Sequence, residues 1–153
     1  NLKNILGIGT AGSNIVQQLS EYPVYKGYCI SNEYSKTSKY KFALKTLSDP
    51  EQYEAMDFSK LHTWLEKIEG TCTVFLCGAS DSSAITLRAL EAMHLKGIKM
   101  DIVYFVPEVE VLSETKILHE RSVRGILQNF ARSGLFEKIC LVQLSHLYIF
   151  FGF

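Results

Sequence analysis

Gly7, Gly9 and Gly12 stand at G-x-G-x-x-G spacing within Gly7-Ile8-Gly9-Thr10-Ala11-Gly12-Ser13-Asn14. Glycines so placed let the backbone turn tightly and approach a phosphate closely. A helix beginning near Ala11 then aims unpaired N–H groups, and the positive end of its dipole, at the same anion. The chemistry expected here is phosphate cradling. A plain structural turn also fits the spacing, and the strand before it and helix after it are what favour a ligand.

Two other segments carry residue types suited to the same work. Gly78-Ala79-Ser80-Asp81-Ser82-Ser83 is built of small and hydroxyl-bearing residues at another expected helix start, where phosphate oxygens can be held. Ser80 or Asp81 acting as an N-cap explains it equally well, and Asp81 repels phosphate unless a cation or a turned-away side chain separates the charges. Ser31-Asn32-Glu33 falls where a dinucleotide fold presents an acid to a ribose hydroxyl, and Glu33 lies 21 residues after Gly12. An NAD-binding unit therefore stays in view, beside a solvated loop acid.

Other chemistry finds less support. His62, His94, His119 and His146 are scattered without ligand spacing, and no metal site is expected; catalytic residues stay unassigned. Ser80, Ser82 and Ser83 do not form a G-x-S-x-G nucleophile elbow. Lys36, Lys39, Lys41 and Lys45 interleave with Tyr34, Tyr40 and Phe42, a pattern that suits a strand-binding patch but is explained more simply by an edge strand guarded with lysines. Trp64 belongs with Leu61, Leu65 and Ile68 to an apolar helix stripe and is expected in the core.

The elements that must position these loops follow from hydrophobic pattern. Leu2 to Ile8 reads as a buried parallel strand, Ile15, Val16 and Leu19 as a helix face closed by Pro23, and Gly27 to Ile30 as a second strand. Lys41 to Leu44 is a third strand; a start signal at Ser48-Asp49-Pro50-Glu51 opens a helix ended by Gly70. Thr71 to Cys77, Ile98 to Val106 and Ile139 to Gln143 read as strands, Ser80 to Leu95 and Ser113 to Ser133 as helices. The fold class expected is α/β: a three-layer, Rossmann-like, six-stranded parallel sheet with helices on both faces. Ligands in such sheets sit at the carboxyl ends of the strands.

Composition sets the outer bounds. A chain of 153 residues with 47% apolar and 21% charged residues is expected to form one domain, residues 1–143, followed by an apolar tail, residues 144–153. Sixteen basic residues balance sixteen acidic ones, which argues against nucleic acid as the main partner. Cys29, Cys72, Cys77 and Cys140 lie mostly inside apolar runs and read as small buried hydrophobes of a reducing compartment, the cytoplasm. No membrane span or leader peptide is visible, and the apolar tail together with the missing initial methionine suggests a piece of a longer protein.

Taken in order, the loops resemble the nucleotide-binding domain of the tubulin and FtsZ superfamily. Family members open with strand, G-x-G-G-x-G-x-N and helix, where this chain has Gly7 to Asn14 with the asparagine in place. FtsZ has a strand ending Asn-Thr-Asp where this chain reads Ser31-Asn32-Glu33. A V-F-I-T-A-G strand and G-G-G-T-G-T-G signature match Val74-Phe75-Leu76-Cys77-Gly78 and the serine-rich loop. Pro107 follows the fifth strand as in the family, and Glu114 matches the ribose-side glutamate when Gly125 is set on a helix glycine; the arginine position then falls near Ile117. Lys138 to Gln143 is similar to the family's sixth strand, with Gln143-Leu144-Ser145 where a Pro-Asn-Asp segment is usual. The likeness spans nearly the whole chain, about the amino-terminal half of a family member.

The resemblance implies a guanine nucleotide, GTP or GDP with Mg, held by Gly7, Gly9, Thr10, Ala11, Gly12, Asn14, Ser31, Glu33, Gly78, Ala79, Ser80, Ser82, Ser83 and Glu114, and head-to-tail self-association into filaments or oligomers. The departures bear on turnover. Asp81 stands beside the expected phosphates, Leu47-Ser48-Asp49-Pro50-Glu51 replaces the glycine-rich loop that meets the γ-phosphate, and the water-positioning acids of the family come from a helix beyond this domain. GTPase activity of this chain alone is expected to be weak or absent. Two alternatives stand beside that expectation: a non-catalytic scaffold or assembly module of the same fold, and an NAD-binding oxidoreductase or sensor domain.

Overall fold

In the computed structural model, residues 2–45, 58–77, 83–106, 113–132, 134 and 138–143 are described. Their elements are β1 (Lys3–Ile8), α1 (Gly9–Leu19), β2 (Tyr25–Ser31), β3 (Lys41–Ala43), α2 (Ser59–Leu65), β4 (Thr71–Cys77), α3 (Ser83–Leu95), β5 (Lys99–Val106), α4 (Glu114–Arg132) and β6 (Lys138–Gln143). The six strands form one sheet in the order β3-β2-β1-β4-β5-β6, and every neighbouring pair is parallel. The α/β class and the parallel sheet are thus as expected.

Direction of travel decides which face each helix covers. Moving outward from β1 to β2, a right-handed crossover puts α1 on one face; moving the other way through β4, β5 and β6 puts the later helices on the opposite face. Val16 of α1 packs with Ile5 and Cys29 on the first face. Leu61 and Trp64 of α2, Ile85, Leu90 and Met93 of α3 and Leu127 of α4 join Leu6, Ile8, Tyr28, Ile30, Val74, Leu76, Ile102 and Tyr104 on the second. The strand pattern reports the asymmetry: in β4 and β5 the residues facing α2 to α4 are buried, while those on α1's face are half-buried or exposed.

Trp64 sits in the core as expected, 6% exposed, with its ring edge-on to Tyr28 and Phe42. The helix expected from Ser48 to Gly70 is described only as α2; residues 46–57 lie outside the described residues, and Ile68 is buried in the turn beyond the helix. β2 and β3 are joined by residues 32–40 with no helix among them. β3 is an edge strand with Lys41 exposed, which matches the guarded-edge expectation.

One cysteine departs from the expected burial. Cys29 and Cys72 are buried and Cys77 is half-buried, but Cys140 is exposed. It pairs in register with Val103 on β6, the outer strand, on the face that no described helix covers there. Among the described residues, no helix is long and apolar enough to cross a membrane.

Candidate functional site

The sheet reverses its strand order between β1 and β4, so the carboxyl end of β1 opens onto the crevice where ligands of doubly wound sheets bind. Gly7 to Asn14 lie at that end. α1 begins at Gly9, two residues earlier than expected, directly from the strand. Ile8 at the N-cap is extended and makes no side-chain capping bond. The first N–H groups of α1 are therefore without the usual Ser, Thr or Asp cap.

Each glycine has a distinct reason. Gly9 has φ +82°, a left-handed conformation that lets the chain turn from strand to helix in one residue. A Cβ on Gly12 would collide with the Phe75 carbonyl oxygen of β4, and one on Gly7 would come within 2.7 Å of Ser13 Cα. Gly7 and Gly12 thus let α1 lie against β1 and β4, and Gly9 makes the turn. Close helix–strand packing is the role a dinucleotide fingerprint assigns to its third glycine, here Gly12.

Buried polar contacts hold the loop from below. The Ser13 hydroxyl, 2% exposed, lies 3.3 Å from Ile30 O and 3.4 Å from Gly7 O and donates between them. The Cys29 thiol donates to Ser13 O at 3.6 Å, and burial raises its pKa. Ser13 thereby ties the start of α1 to the ends of β1 and β2. Thr10, Ala11 and Asn14 are left exposed on the outer side of the turn.

At the end of β2, Ser31 is buried and its hydroxyl accepts from the Glu33 N–H at 3.1 Å. That turn leaves Glu33 exposed one strand away from the glycine loop. Tyr34, which sequence reasoning assigned to an edge patch, packs instead beside Ile5, Val16 and Cys29 under α1. Its hydroxyl accepts from Gln17 Nε2 at 2.8 Å, the Lys41 ammonium lies 5.2 Å from its ring centre, and burial pushes its pKa up to about 12. Ser13 and Tyr34 are the residues that spacing alone did not single out. The signal for Ser13 was its place beside the last glycine; for Tyr34 there was none apart from its neighbour Glu33.

The fold thus brings Gly7, Gly9, Thr10, Ala11, Gly12, Asn14, Ser31 and Glu33 to the carboxyl ends of two adjacent strands. Gly78, Ala79, Ser80 and Ser82 lie outside the described residues; Ser83 begins α3, and only its backbone is described. Glu114 is exposed in the first turn of α4, after the far strand β5. The geometry can bind an anion on backbone N–H groups at α1, with side-chain contacts at the end of β2. No protein-family model and no curated protein matches the chain.

Proposed function

We propose that the chain is a nucleotide-binding domain whose ligand phosphates rest on the amino end of α1. The observation that carries this reading is the uncapped start of α1 at Gly9, entered through a left-handed glycine at the strand-order reversal. Helix N–H groups that lack a side-chain partner there suit phosphate oxygens, and Thr10, Ala11 and Asn14 lie exposed around them.

For the nucleotide we favour guanine, GTP or GDP with Mg, in a divergent relative of tubulin and FtsZ that assembles head to tail in the cytoplasm and hydrolyses GTP weakly or not at all. Support comes from the order of loops along the chain and from the asparagine that closes the first of them. A non-catalytic assembly module of the same fold is the limit of this reading when the nucleotide is lost. Glu33, exposed at the end of β2 beside the glycine loop, favours a second reading, NAD held through its ribose hydroxyls in an oxidoreductase or sensor.

Calorimetric titration with GTP, GDP and NAD separates these, with the Gly9→Val variant as control. Guanine nucleotide binding that this variant abolishes is the expected result. NAD binding weakened by Glu33→Gln would transfer the assignment to the second reading, and no binding of any nucleotide would leave the assembly module.

A further inference from the structure

On the side of the sheet away from β1, β2 has more edge than β3 covers. β2 runs over Tyr25–Ser31, but β3 pairs only with Cys29, Ile30 and Ser31. Among the described residues, no strand lies beside the first half of β2.

Ladder alternation says which groups face the gap. Val24 O accepts from Lys3 N at 2.8 Å, so even-numbered residues here turn their backbone groups toward β1. Cys29 N donates to Tyr40 O at 2.8 Å and Ser31 O accepts from Leu44 N at 2.9 Å, so odd-numbered residues turn theirs outward. Gly27 belongs to the outward set, and its N–H and C=O project off the open edge. The Tyr25 N–H is turned back to Tyr22 O at 3.1 Å, which leaves the Tyr25 carbonyl facing outward as a further acceptor.

A cavity of about 420 Å³ lies along this edge, lined in part by Gln17, Tyr25, Lys26, Gly27, Tyr40 and Lys41. It is apolar around its rim. Leu2, Tyr22, Val24 and Tyr40 are four of the seven exposed large hydrophobics among the described residues; Leu2 and Tyr40 line the cavity, and Tyr22 and Val24 stand in the turn that leads into β2. The charged residues lining it, Lys26 and Lys41, are both basic.

Lysines on an edge strand ordinarily repel a partner strand. Here they flank the gap instead of filling it. Gly27 has no side chain to block approach, Lys26 Nζ lies over the Tyr28 ring at 5.9 Å, and Lys41 sits on β3 beyond the gap. A Cβ at Gly27 would collide with Ser20 Oγ, so α1 closes the groove's inner wall.

We infer that this edge binds an extended, acidic peptide segment of a partner protein, which adds as a short strand to β2 in line with β3. The strand supplies the donor and acceptor that Gly27 lacks among the described residues; on α1's face its side chains meet Tyr25 and Lys41, and on the opposite face Lys26 and Tyr40, so each face takes an apolar group and a carboxylate. A nucleic acid strand would meet the lysines and tyrosines but could not continue the backbone ladder. The open edge at Tyr25 and Gly27 is at the amino end of β2, while the cavity extends from there to Cys29 beneath the candidate nucleotide loop; the inferred strand contacts require no nucleotide.

The test uses three fluorescent probes on the full chain: a nine-residue peptide in which pairs of Glu alternate with pairs of Val or Tyr, so that both faces carry carboxylates, the same peptide with Lys for Glu, and a thymidine oligonucleotide. Anisotropy is read for the native chain and for the Lys26→Glu, Lys41→Glu double variant, whose changes are at one half-buried and one exposed position. Hydrogen exchange of the Gly27 amide is followed with and without peptide. The acidic peptide is expected to bind with an affinity of about 10–100 μM, to lose about tenfold or more in the double variant, and to protect Gly27. Any of four results overturns the inference: no binding of the acidic peptide, equal binding of the lysine peptide, preference for the oligonucleotide, or binding that leaves Gly27 exchange unchanged. Self-association of the chain that protects Gly27 without peptide also overturns it, because the groove would then belong to a second copy.

Discussion

The Tyr104 hydroxyl of β5 donates to Glu120 Oε1 of α4 at 3.1 Å, and the same oxygen accepts from Arg124 Nε at 2.8 Å. Tyr104 is fully buried and Glu120 nearly so, while Arg124 reaches partly into solvent one turn along the helix. Burial and the adjacent Glu120 charge hold the Tyr104 hydroxyl pKa well above the usual phenol value. Here a carboxylate is kept inside by two donors. Removing one donor leaves that charge short of partners, so Arg124→Leu is expected to destabilise the domain by about 2–4 kcal/mol, and Tyr104→Phe by about 1–2 kcal/mol. Adding Glu120→Leu to Arg124→Leu removes the stranded charge, and most of the loss is expected to return. Urea unfolding of the four proteins checks the sequence of effects; equal destabilisation in the single and double variants would show that packing, not charge, dominates.

How far this was legible in the sequence depends on what each residue answers to. Gly7, Gly9 and Gly12 act through local backbone geometry, and their spacing between an apolar strand and a helix announces it. Thr71–Cys77 and Lys99–Val106 were legible as strands because their apolar runs are too short for a helix between turn signals. Glu120 was not. It stands in His119-Glu120-Arg121, which reads as a solvated helix face, and only the tertiary approach of Tyr104 makes it internal. The exposure of Cys140 was hidden for a similar reason: β6 is as apolar as an inner strand, and its place at the sheet edge comes from the path of the whole chain. The helix start at Gly9 moved from the expected Ala11 because a left-handed glycine can end a strand and begin a helix without intervening loop. The first loop and the end of β2 are neighbours because β1 and β2 pair in parallel register.

The connection between β2 and β3 depends on Trp64. Its indole Nε1 donates to Ser38 O at 2.8 Å, and Lys67, whose ammonium lies 4.8 Å from the indole ring centre, donates to Lys39 O at 2.7 Å. Residues 32–40 have no helix of their own, so these bonds from α2 and the turn after it anchor their far end. Trp64→Phe keeps most of the packing against Tyr28 and Phe42 but frees the Ser38 carbonyl. A loss of about 1–2 kcal/mol is expected, with faster amide exchange confined to residues near 38–43. Exchange that rises equally across the sheet would assign the whole effect to lost core volume.

Glycines at different places should answer to substitution with opposite signs. Gly125 lies inside α4 with a helical, negative φ and nothing within 4 Å of where a Cβ would stand. Gly125→Ala is expected to raise stability by about 0.5–1 kcal/mol, because alanine loses less backbone freedom on folding. Gly12→Ala drives a methyl group into the Phe75 carbonyl, a backbone atom in the middle of the sheet that cannot swing aside. It should lower the melting temperature by many degrees or prevent folding. Gly9→Ala forces a left-handed conformation on a residue with a side chain, and costs about 1–2 kcal/mol with the fold retained. Thermal melts of the three variants decide the matter. A neutral Gly12→Ala would mean that α1 can lift off β4, contrary to the close contact seen here.

The cysteines give a reading of pH and access together. Burial pushes the Cys72 thiol from 9.0 up to about 12, so the folded chain keeps its proton where the unfolded chain has lost it. A raised pKa of this kind contributes stability that is complete below about pH 9 and is lost as pH climbs toward 12. Tyr34 adds the same sign over a narrower window, from 10.0 to about 12. Urea midpoints should therefore be steady near neutrality and fall above about pH 9, and Cys72→Val should flatten the first part of that fall. Maleimide labelling at neutral pH supplies the independent check. Cys140 on the exposed edge is expected to react first, Cys77 more slowly, and Cys29 and Cys72 only at the rate at which the sheet opens. Rapid labelling of Cys72 in the folded protein would refute both the buried position of β4 beneath α3 and the alkaline transition argued from it.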